Sequence, residues 1–496
     1  MKNVGTRASL RIVVAGLIGV GFGQSTKKPR GDRVNMNPDP NVVRPASDLR
    51  AAVLQQLALV AVFVAACLPA AVAAEDLLQV YRDARGYDAQ YAAARHALEA
   101  GREKLPQGRA LVLPTLNLAA NATNTRIDSE SRDVSLAPSF ARDTRAHAYT
   151  LTFTQPIYRK QYFLQYEQTA FQVRQAEASF GLTAQDLIVR VAQSYFDTLA
   201  AQDTLELVRA QKAAVSEQLA LAKRNFDVGT ATITDTHEAQ ARHDLIVAQE
   251  IAAENDLENK HRALQQFTGK SYAALKPLRP EMRLSLPVPV GAQRWVDLSE
   301  KQSYPVRIQE AATEISRLEV ERNRAGRLPT LDLVATHGQT SQTGSIYSAV
   351  GTDSATTTVG LQLALPLYQG GAIRSREREA AANFEKAKEE LENARRSSAF
   401  SARQSYLAVI NGIAQVQALE QALVSSQSAL DSNRLGYEVG VRINIDVLNA
   451  QQQLYSTRRD LALARYNTVT SHLRLKAAAG ALSEEDLEQV NRAVTP

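Results

Sequence analysis

Side chains that could support catalysis are present in the sequence, but their spacing does not match a catalytic site. Gly269-Lys270-Ser271 ends like a phosphate-binding loop, yet Leu264 stands where the upstream glycine is required, so the segment indicates a helix end. No two histidines have the four-residue spacing of a zinc-binding helix, and no Gly-x-Ser-x-Gly occurs. We expect a protein that is not an enzyme and needs no cofactor or metal. The seven histidines are His96, His147, His237, His243, His261, His337 and His472.

The single cysteine, Cys67, lies in an apolar run that is typical of a secretory signal peptide. The run spans residues 57–74, and its small residues Ala71 and Ala73 suit signal-peptidase cleavage near Ala73. A membrane-spanning helix would need roughly 20 apolar residues without the proline that interrupts this run. We therefore expect residues 1–73 to be a leader and signal peptide.

A second interpretation of the cysteine stays open. Val64-Ala65-Ala66-Cys67 fits the pattern at which bacterial lipoproteins are cut and acylated on the cysteine. Cleavage near Ala73 would instead leave a mature chain without any thiol. Met36 is an alternative start of the chain, and the sequence does not decide between the two starts.

Composition and charge indicate a packed protein that does not bind nucleic acid. The 496 residues are 45% hydrophobic, which is enough for a buried core. The formal charge of +5 comes from the leader, because residues 1–73 hold nine Lys or Arg against three Asp or Glu, and the remainder holds 48 against 49. Phosphate binding needs a clustered excess of cations, so nucleic acid is not an expected partner.

The two halves of the chain repeat one another. Leu113-Pro114-Thr115-Leu116 recurs as Leu328-Pro329-Thr330-Leu331 at an offset of 215 residues. Val228-Gly229 recurs as Val439-Gly440 at an offset of 211 residues. Because an internal repeat uses one structural unit twice, we expect the same elements in the same order in both halves.

Long stretches without proline predict two helical hairpins, at about residues 159–268 and 370–480. The stretches span residues 157–276 and 367–495, which is 120 and 129 residues, and both are rich in strong helix formers. In the second stretch apolar residues recur every seven positions, which is typical of paired helices with a narrow seam. The recurring residues are Val447, Leu454 and Leu461.

Glycines predict where each hairpin turns. Val228-Gly229 and Val439-Gly440 interrupt the two stretches, and a glycine just past a helix end readily adopts the left-handed conformation that terminates a helix. Asn411-Gly412 lies inside the second hairpin, where its glycine costs about 1 kcal/mol relative to alanine. We expect a local defect in the helix at that point.

Alternating apolar and polar residues predict four strands, two in each repeat. A strand of about ten residues crosses an outer membrane when it is tilted, but two hairpins cannot close a barrel, so other copies would have to complete it. Soluble hairpins that cap a helical stalk are the alternative. The predicted strands span about residues 113–124, 147–157, 328–340 and 357–367.

These elements together resemble the TolC family of outer-membrane channels. The resemblance covers roughly Glu75 to Leu487, rests on the LPTL, QPIY, LPLYQGG and VG motifs in their order, and is particularly close from Gly436 to Ala477. It implies an α+β, mostly α fold and a homotrimer, in which each protomer gives four strands to a twelve-stranded transmembrane barrel continued by a long periplasmic α-helical barrel. It divides the chain into repeat 1 (74–296, with a connector at 270–296 in a mixed belt), repeat 2 (297–487) and a C-terminal tail (488–496).

The resemblance also implies the function. We expect an exit duct in the Gram-negative outer membrane, in contact with its lipid, that works with a periplasmic adaptor and an inner-membrane pump of the resistance-nodulation-division or ABC type. The sequence does not separate drug efflux from type I protein secretion. The alternative from a different class is a structural coiled-coil surface protein without a lumen.

In the family, links among three side chains at the hairpin turns hold the tunnel mouth shut. The matching positions here are Asp235, Tyr437 and Arg442, and Thr234 beside Asp235 also matches. The alternative for Asp235 is a purely structural role in helix capping, because Thr232 and Asp235 have the spacing of a capping box.

A ring of acidic side chains constricts the entrance in the family. Asp446 matches its first member, whereas Asn449 stands where the best-known relative has an aspartate. Three copies of Asp446 are therefore expected to favour cations as a weak site, and Asn449 puts strong block by divalent cations in doubt.

Overall fold

A computed structural model of the chain describes residues 74–132, 139–279, 282, 284–345 and 348–494. All of them belong to one compact unit, Ala71–Pro496. The predicted leader and signal peptide, with the alternative acylation site at Cys67 and the alternative start at Met36, lies outside these residues.

Short helices precede each pair of strands. Capping aspartates start the first two: the Asp76 side chain accepts a 2.8 Å bond from the amide of Gln79, and the Asp88 side chain accepts a 2.6 Å bond from the amide of Tyr91. Repeat 1 begins with α1 (Leu77–Tyr87), α2 (Ala89–Arg102) and α3 (Lys104–Ala110). Repeat 2 begins with α6 (Ala292–Gln302), α7 (Tyr304–Arg324) and a 3-10 turn (Ala325–Arg327).

Two long helical hairpins follow the strands. Hairpin 1 consists of α4 (Lys160–Asp227) and α5 (Ile233–Thr268), and hairpin 2 consists of α8 (Ala372–Glu438) and α9 (Asn444–Ala478). The helices α4 and α8 have 68 and 67 residues, so each is about 100 Å long at roughly 1.5 Å per residue. A short helix, α10 (Glu484–Arg492), follows hairpin 2.

Four antiparallel strands form one sheet in the order β1-β2-β3-β4. Their bounds are β1 (Thr115–Ser129), β2 (Phe140–Tyr158), β3 (Thr330–Gln342) and β4 (Thr352–Ala364). The central pairing joins the two repeats, with Thr152 of β2 opposite Thr336 of β3. The first and last strands, β1 and β4, each pair on one side only within the chain.

One face of the sheet is apolar and the other is polar. Leu118 lies opposite Leu151, and Leu333 lies opposite Leu361, so leucines of all four strands share one face. Leu118 and Leu361 are 69% and 65% exposed in the single chain. An apolar face this open in water would be costly, which is the property of a sheet that faces lipid.

The largest core surrounds the middle of the hairpins. The rings of Phe196 and Tyr466 stack with centroids 5.7 Å apart, and Tyr195 meets Phe196 edge-on at 5.5 Å. The Tyr195 hydroxyl donates a 2.7 Å bond to the carbonyl of Lys276, which fixes the connector onto the helices. The rest of the connector is anchored by a bridge between Leu278 and Val494.

The expected defect at Asn411-Gly412 was wrong, because α8 runs through it without interruption. The glycine instead allows two helices to pack closely against each other. A Cβ atom on Gly412 would lie 2.5 Å from Oγ1 of Thr468, so only glycine lets α9 approach α8 this closely.

Two predicted boundaries, the end of the connector and the start of the C-terminal tail, do not coincide with the ends of helices in the structure. The connector predicted to end at residue 296 gives way to α6 at Ala292, just after Gly291, whose φ of +112° suits a residue without a side chain. The tail predicted from residue 488 begins inside α10, which starts with a capping box formed by Ser483 and Asp486.

Candidate functional site

The two hairpins end in the same kind of turn. In the first, the amides of Gly229 and Thr230 bond to carbonyls of the preceding helix at 2.9 and 2.8 Å. In the second, the amides of Gly440 and Val441 do the same at 3.1 and 2.8 Å. Gly229 and Gly440 have φ values of +77° and +76°, so both turns are Schellman motifs that depend on glycine. The predicted turns at Val228-Gly229 and Val439-Gly440 are where the helices reverse.

The return helices begin differently in the two hairpins. α5 starts with a capping box: the amide of Asp235 donates to Oγ1 of Thr232 at 3.3 Å, and Oδ2 of Asp235 accepts from the amide of Thr232 at 2.9 Å. The capping interpretation of Asp235 is therefore present in the structure. Thr234 lies exposed in the same turn. α9 starts after Ile443, whose side chain has no acceptor with which to cap the helix.

Polar side chains connect the tip of hairpin 1 to the tip of hairpin 2. The Nδ2 atom of Asn225 donates a 3.1 Å bond to the hydroxyl of Tyr437. The side-chain amide of Gln218 donates to Oδ1 of Asn444, which is 1% exposed, and Nδ2 of Asn444 donates to the carbonyl of Asp235 at 3.5 Å. The tips are thus joined by amide and hydroxyl groups, where the heptad pattern would place apolar ones.

Asp446 and Arg442 interact on the surface of the second tip. Their closest charged atoms are 3.7 Å apart, one helical turn along the chain, and both side chains are partly or largely exposed. Such a pair contributes little to stability, so both charges remain available at the surface.

Asn449 has a partner on the other hairpin. Its Oδ1 atom accepts a 2.7 Å bond from Arg242 of α5, whose other terminal nitrogen donates a 2.5 Å bond to Oε1 of Gln452. These bonds link residues more than 200 positions apart in the sequence. The sequence alone gave no indication of Arg242, since an arginine on a polar helix face is usually solvated.

A cleft between the two tips brings together three of the residues singled out from the sequence. It has a volume of about 720 Å³, and Asp235, Tyr437 and Arg442 line it. Asp446 and Asn449 lie outside that lining, further along α9. Among the described residues, no group of three or more histidine, cysteine or acidic side chains is placed to hold a metal ion.

Comparisons with known proteins identify the class. The family model of outer membrane efflux proteins matches residues 80–270 and 295–481. Outer membrane protein TolC of Vibrio cholerae serotype O1 is 33% identical over 438 residues, which is 87% of this chain and 98% of that protein. The proteases secretion protein PrtF of Dickeya chrysanthemi is 35% identical over 419 residues, which is 84% of this chain and 90% of that protein.

A solved structure shares the fold. The outer membrane channel CmeC of Campylobacter jejuni superimposes with a TM-score of 0.72 and 17% identity over 85% of this chain and 90% of that chain. The chain is therefore a channel-forming protein of the Gram-negative outer membrane and not an enzyme. It belongs to the outer membrane efflux protein family. Membership of this family implies that the channel is a trimer. The resemblance, the fold class and the location predicted from the sequence are confirmed.

Proposed function

We propose that the trimer is an exit duct whose periplasmic entrance is gated at the hairpin tips. The observation that carries the proposal is the set of polar links between the two hairpins, of which the Asn225 to Tyr437 bond is the clearest. Hydrogen bonds between neutral side chains each contribute only about 1 kcal/mol, so such links hold a closed state that a partner protein is able to open.

The entrance contains Asp235, Tyr437 and Arg442 as gate residues. Three copies of Asp446, with Asn449 beside it, form a ring that favours cations. Thr234 belongs to the same turn as Asp235 and adds a hydroxyl to the closed entrance.

The duct works with a periplasmic adaptor and an inner-membrane pump of the resistance-nodulation-division or ABC type. The phosphate-loop-like segment ends α5 at Gly269, whose φ is +69°, so it forms a helix end and not a phosphate-binding loop. Energy for transport must therefore come from partners. The match to the family of outer membrane efflux proteins supports use in efflux, and likeness to the proteases secretion protein PrtF supports use in protein secretion.

Single-channel recording in a planar bilayer tests the entrance. The purified trimer should give discrete conductance steps of one size, and Asp446→Asn should change their size and cation preference. Asp460→Asn is the matched control, because Asp460 is a half-exposed carboxylate on the same helix that pairs with Arg459 at 3.0 Å. A silent bilayer despite insertion would favour the structural protein without a lumen.

A deletion strain separates the two uses of the duct. Loss of the protein should raise drug susceptibility if the duct serves efflux, and should abolish export of a secreted protease if it serves type I secretion. Restoring the wild-type chain should reverse whichever phenotype appears.

A further inference from the structure

Arg242 connects the two hairpins about two helical turns beyond Asp235 on α5. It lies on α5 and reaches α9, where its two terminal nitrogens donate to Oδ1 of Asn449 at 2.7 Å and to Oε1 of Gln452 at 2.5 Å. The acceptors are three residues apart, so they lie on one face of α9. The planar fork of a guanidinium suits two acceptors placed side by side, which a lysine could not serve equally.

The charge of Arg242 is not neutralised by these contacts. Both acceptors are neutral amides, so the guanidinium brings a full positive charge to α9. Asn449 is one turn from Asp446, whose carboxylate is the acidic group proposed for the entrance ring. In the trimer, three copies of Arg242 would therefore add positive charge close to the three Asp446 carboxylates, each of which also lies 3.7 Å from Arg442.

We propose that Arg242 has two roles at the entrance: it fastens hairpin 1 to hairpin 2 in the closed state, and its charge reduces the preference of the entrance for cations. The proposal rests on the entrance lying at the hairpin tips, as proposed above. Arg242 is a positioning residue for the gate and a determinant of ion selectivity.

The amide at position 449 follows from the same geometry. A carboxylate there would turn the bond from Arg242 into an ion pair, which adds Coulomb attraction to the hydrogen bond already present. Asn449→Asp should therefore make the channel harder to open. It should not create a strong site for divalent cations, because the guanidinium would occupy the new carboxylate.

Planar-bilayer recording of Arg242→Gln, Asn449→Asp and the double variant tests the proposal. Arg242→Gln should open more often and should shift the reversal potential in a potassium chloride gradient toward stronger cation selectivity. Asn449→Asp should open less often, with magnesium block like that of the wild type. The double variant should be blocked by about tenfold less magnesium chloride than the wild type, which is the order of effect expected from one unit charge about 4 Å away in a water-filled entrance.

Two further variants separate the effect of the Arg242 charge from the effect of its two hydrogen bonds to α9. Arg242→Lys keeps the charge and loses the fork, so its reversal potential should stay near that of the wild type while it opens more often. Arg262→Gln is the matched control: Arg262 is on the same helix, bonds to Glu258 at 2.7 Å and to Gln265 at 2.9 Å within that helix, and should change neither readout.

The outcomes are distinct. If Arg242→Gln behaves like Arg262→Gln while Asp446→Asn alters conductance, the proposed position of the entrance is supported and the proposed role of Arg242 is overturned. If Asp446→Asn is also without effect, the entrance at the tips itself fails. Migration of each variant as a trimer shows that an altered current does not come from misfolding.

Discussion

The hydroxyl of Tyr437 in hairpin 2 accepts a 3.1 Å hydrogen bond from Nδ2 of Asn225 in hairpin 1. Each residue lies about one helical turn before the glycine of its own tip. The bond therefore connects the two hairpins where each reverses direction. Because of this bond, the distance between the two tips depends on how the long helices of the two hairpins pack against each other.

We expect Tyr437→Phe combined with Arg442→Glu to increase the leak through the channel. The first change removes the acceptor of the Asn225 bond, and the second replaces an attraction to Asp446 with repulsion. The open state should become about tenfold more populated, since losing one hydrogen bond and reversing one exposed pair is worth roughly 1.4 kcal/mol. The open probability in single-channel recordings measures the change.

The matched control moves the same two substitutions away from the tip. Tyr455 and Arg458 both lie on α9, where the Arg458 guanidinium is 5.7 Å from the centroid of the Tyr455 ring. Tyr455→Phe with Arg458→Glu should leave the leak unchanged. An equal leak from both double variants would mean that the tip contacts do not hold the gate.

Gly412→Ala should destabilise the protein although alanine favours helices. The new Cβ would meet Oγ1 of Thr468 at 2.5 Å, and overpacking of this kind costs about 1–3 kcal/mol, which exceeds the gain of about 1 kcal/mol in helix propensity. Thermal melting should report the loss.

A second substitution tests the cause. Thr468→Ala removes Oγ1, the atom that the new methyl group would crowd most, together with Cγ2 at 3.2 Å, so it should restore much of the stability of Gly412→Ala. Gly86→Ala is a neutral reference, because nothing lies within 4 Å of a Cβ placed on that helical glycine. A failure of Thr468→Ala to rescue would place the cost elsewhere.

Stability should fall as the pH drops from neutral through about 6.5 because of His472. Burial lowers the pKa of His472 below its ordinary value of 6.5, and Lys476 lowers it further, while Asp486 acts in the opposite direction. Its Nε2 atom is buried without a hydrogen-bond partner among the described residues. Since the unfolded chain binds the proton at a higher pH than the folded one, acidification below about 6.5 favours unfolding until the folded pKa is reached.

Melting temperatures of the wild type and His472→Leu across this pH range check the sign. The variant should show a flatter profile than both the wild type and His96→Gln, a control substitution at an exposed position. Equal slopes for all three proteins would exclude His472 as the source.

Asp332→Asn should weaken the junction between sheet and helices. Asp332 is 4% exposed and accepts a 2.7 Å bond from Nε of Arg159, with a second, shorter contact beside it. Loss of the charge leaves a partly buried guanidinium without its carboxylate, at a cost of about 2 kcal/mol. The temperature at which the trimer dissociates should fall.

Arg159→Lys should lower the same temperature by less, because lysine keeps the charge but not the two-pronged contact. Asp353→Asn is the reference, since Asp353 is an exposed carboxylate of the neighbouring strand β4. A drop for Asp353→Asn as large as that for Asp332→Asn would point to a general effect of sheet charge.

The periodicity of the sequence predicted the elements better than their ends. Glycine and proline determine the hairpin turns through local geometry, so Gly229 and Gly440 are readable without any tertiary information. β2 begins at Phe140, about seven residues before the predicted strand, because pairing with β1 continues through the polar residues Arg142 and Asp143. Backbone hydrogen bonds extend a strand whatever its side chains, and alternation cannot reveal that.

The contacts between hairpins were beyond the sequence for a different reason. Asn225, Gln218 and Arg242 bond to residues more than 200 positions away, and no local pattern determines which helices become neighbours. One signal was present: Asn444 stands three residues before Val447 on the apolar seam, where a polar residue is unusual. A buried amide in a heptad seam needs a partner, and Gln218 provides it.

The two return helices descend from one duplicated unit, yet only the first begins with a side-chain cap. Thr232 and Asp235 secure the start of α5, whereas Ile443 leaves the start of α9 without such a bond, a difference worth about 1 kcal/mol. We therefore expect the first turn of α9 to open more often than that of α5, and its amide hydrogens to exchange with deuterium faster. Duplication has thus left one return helix with a side-chain cap and one without, and the uncapped helix carries Asp446 and Asn449.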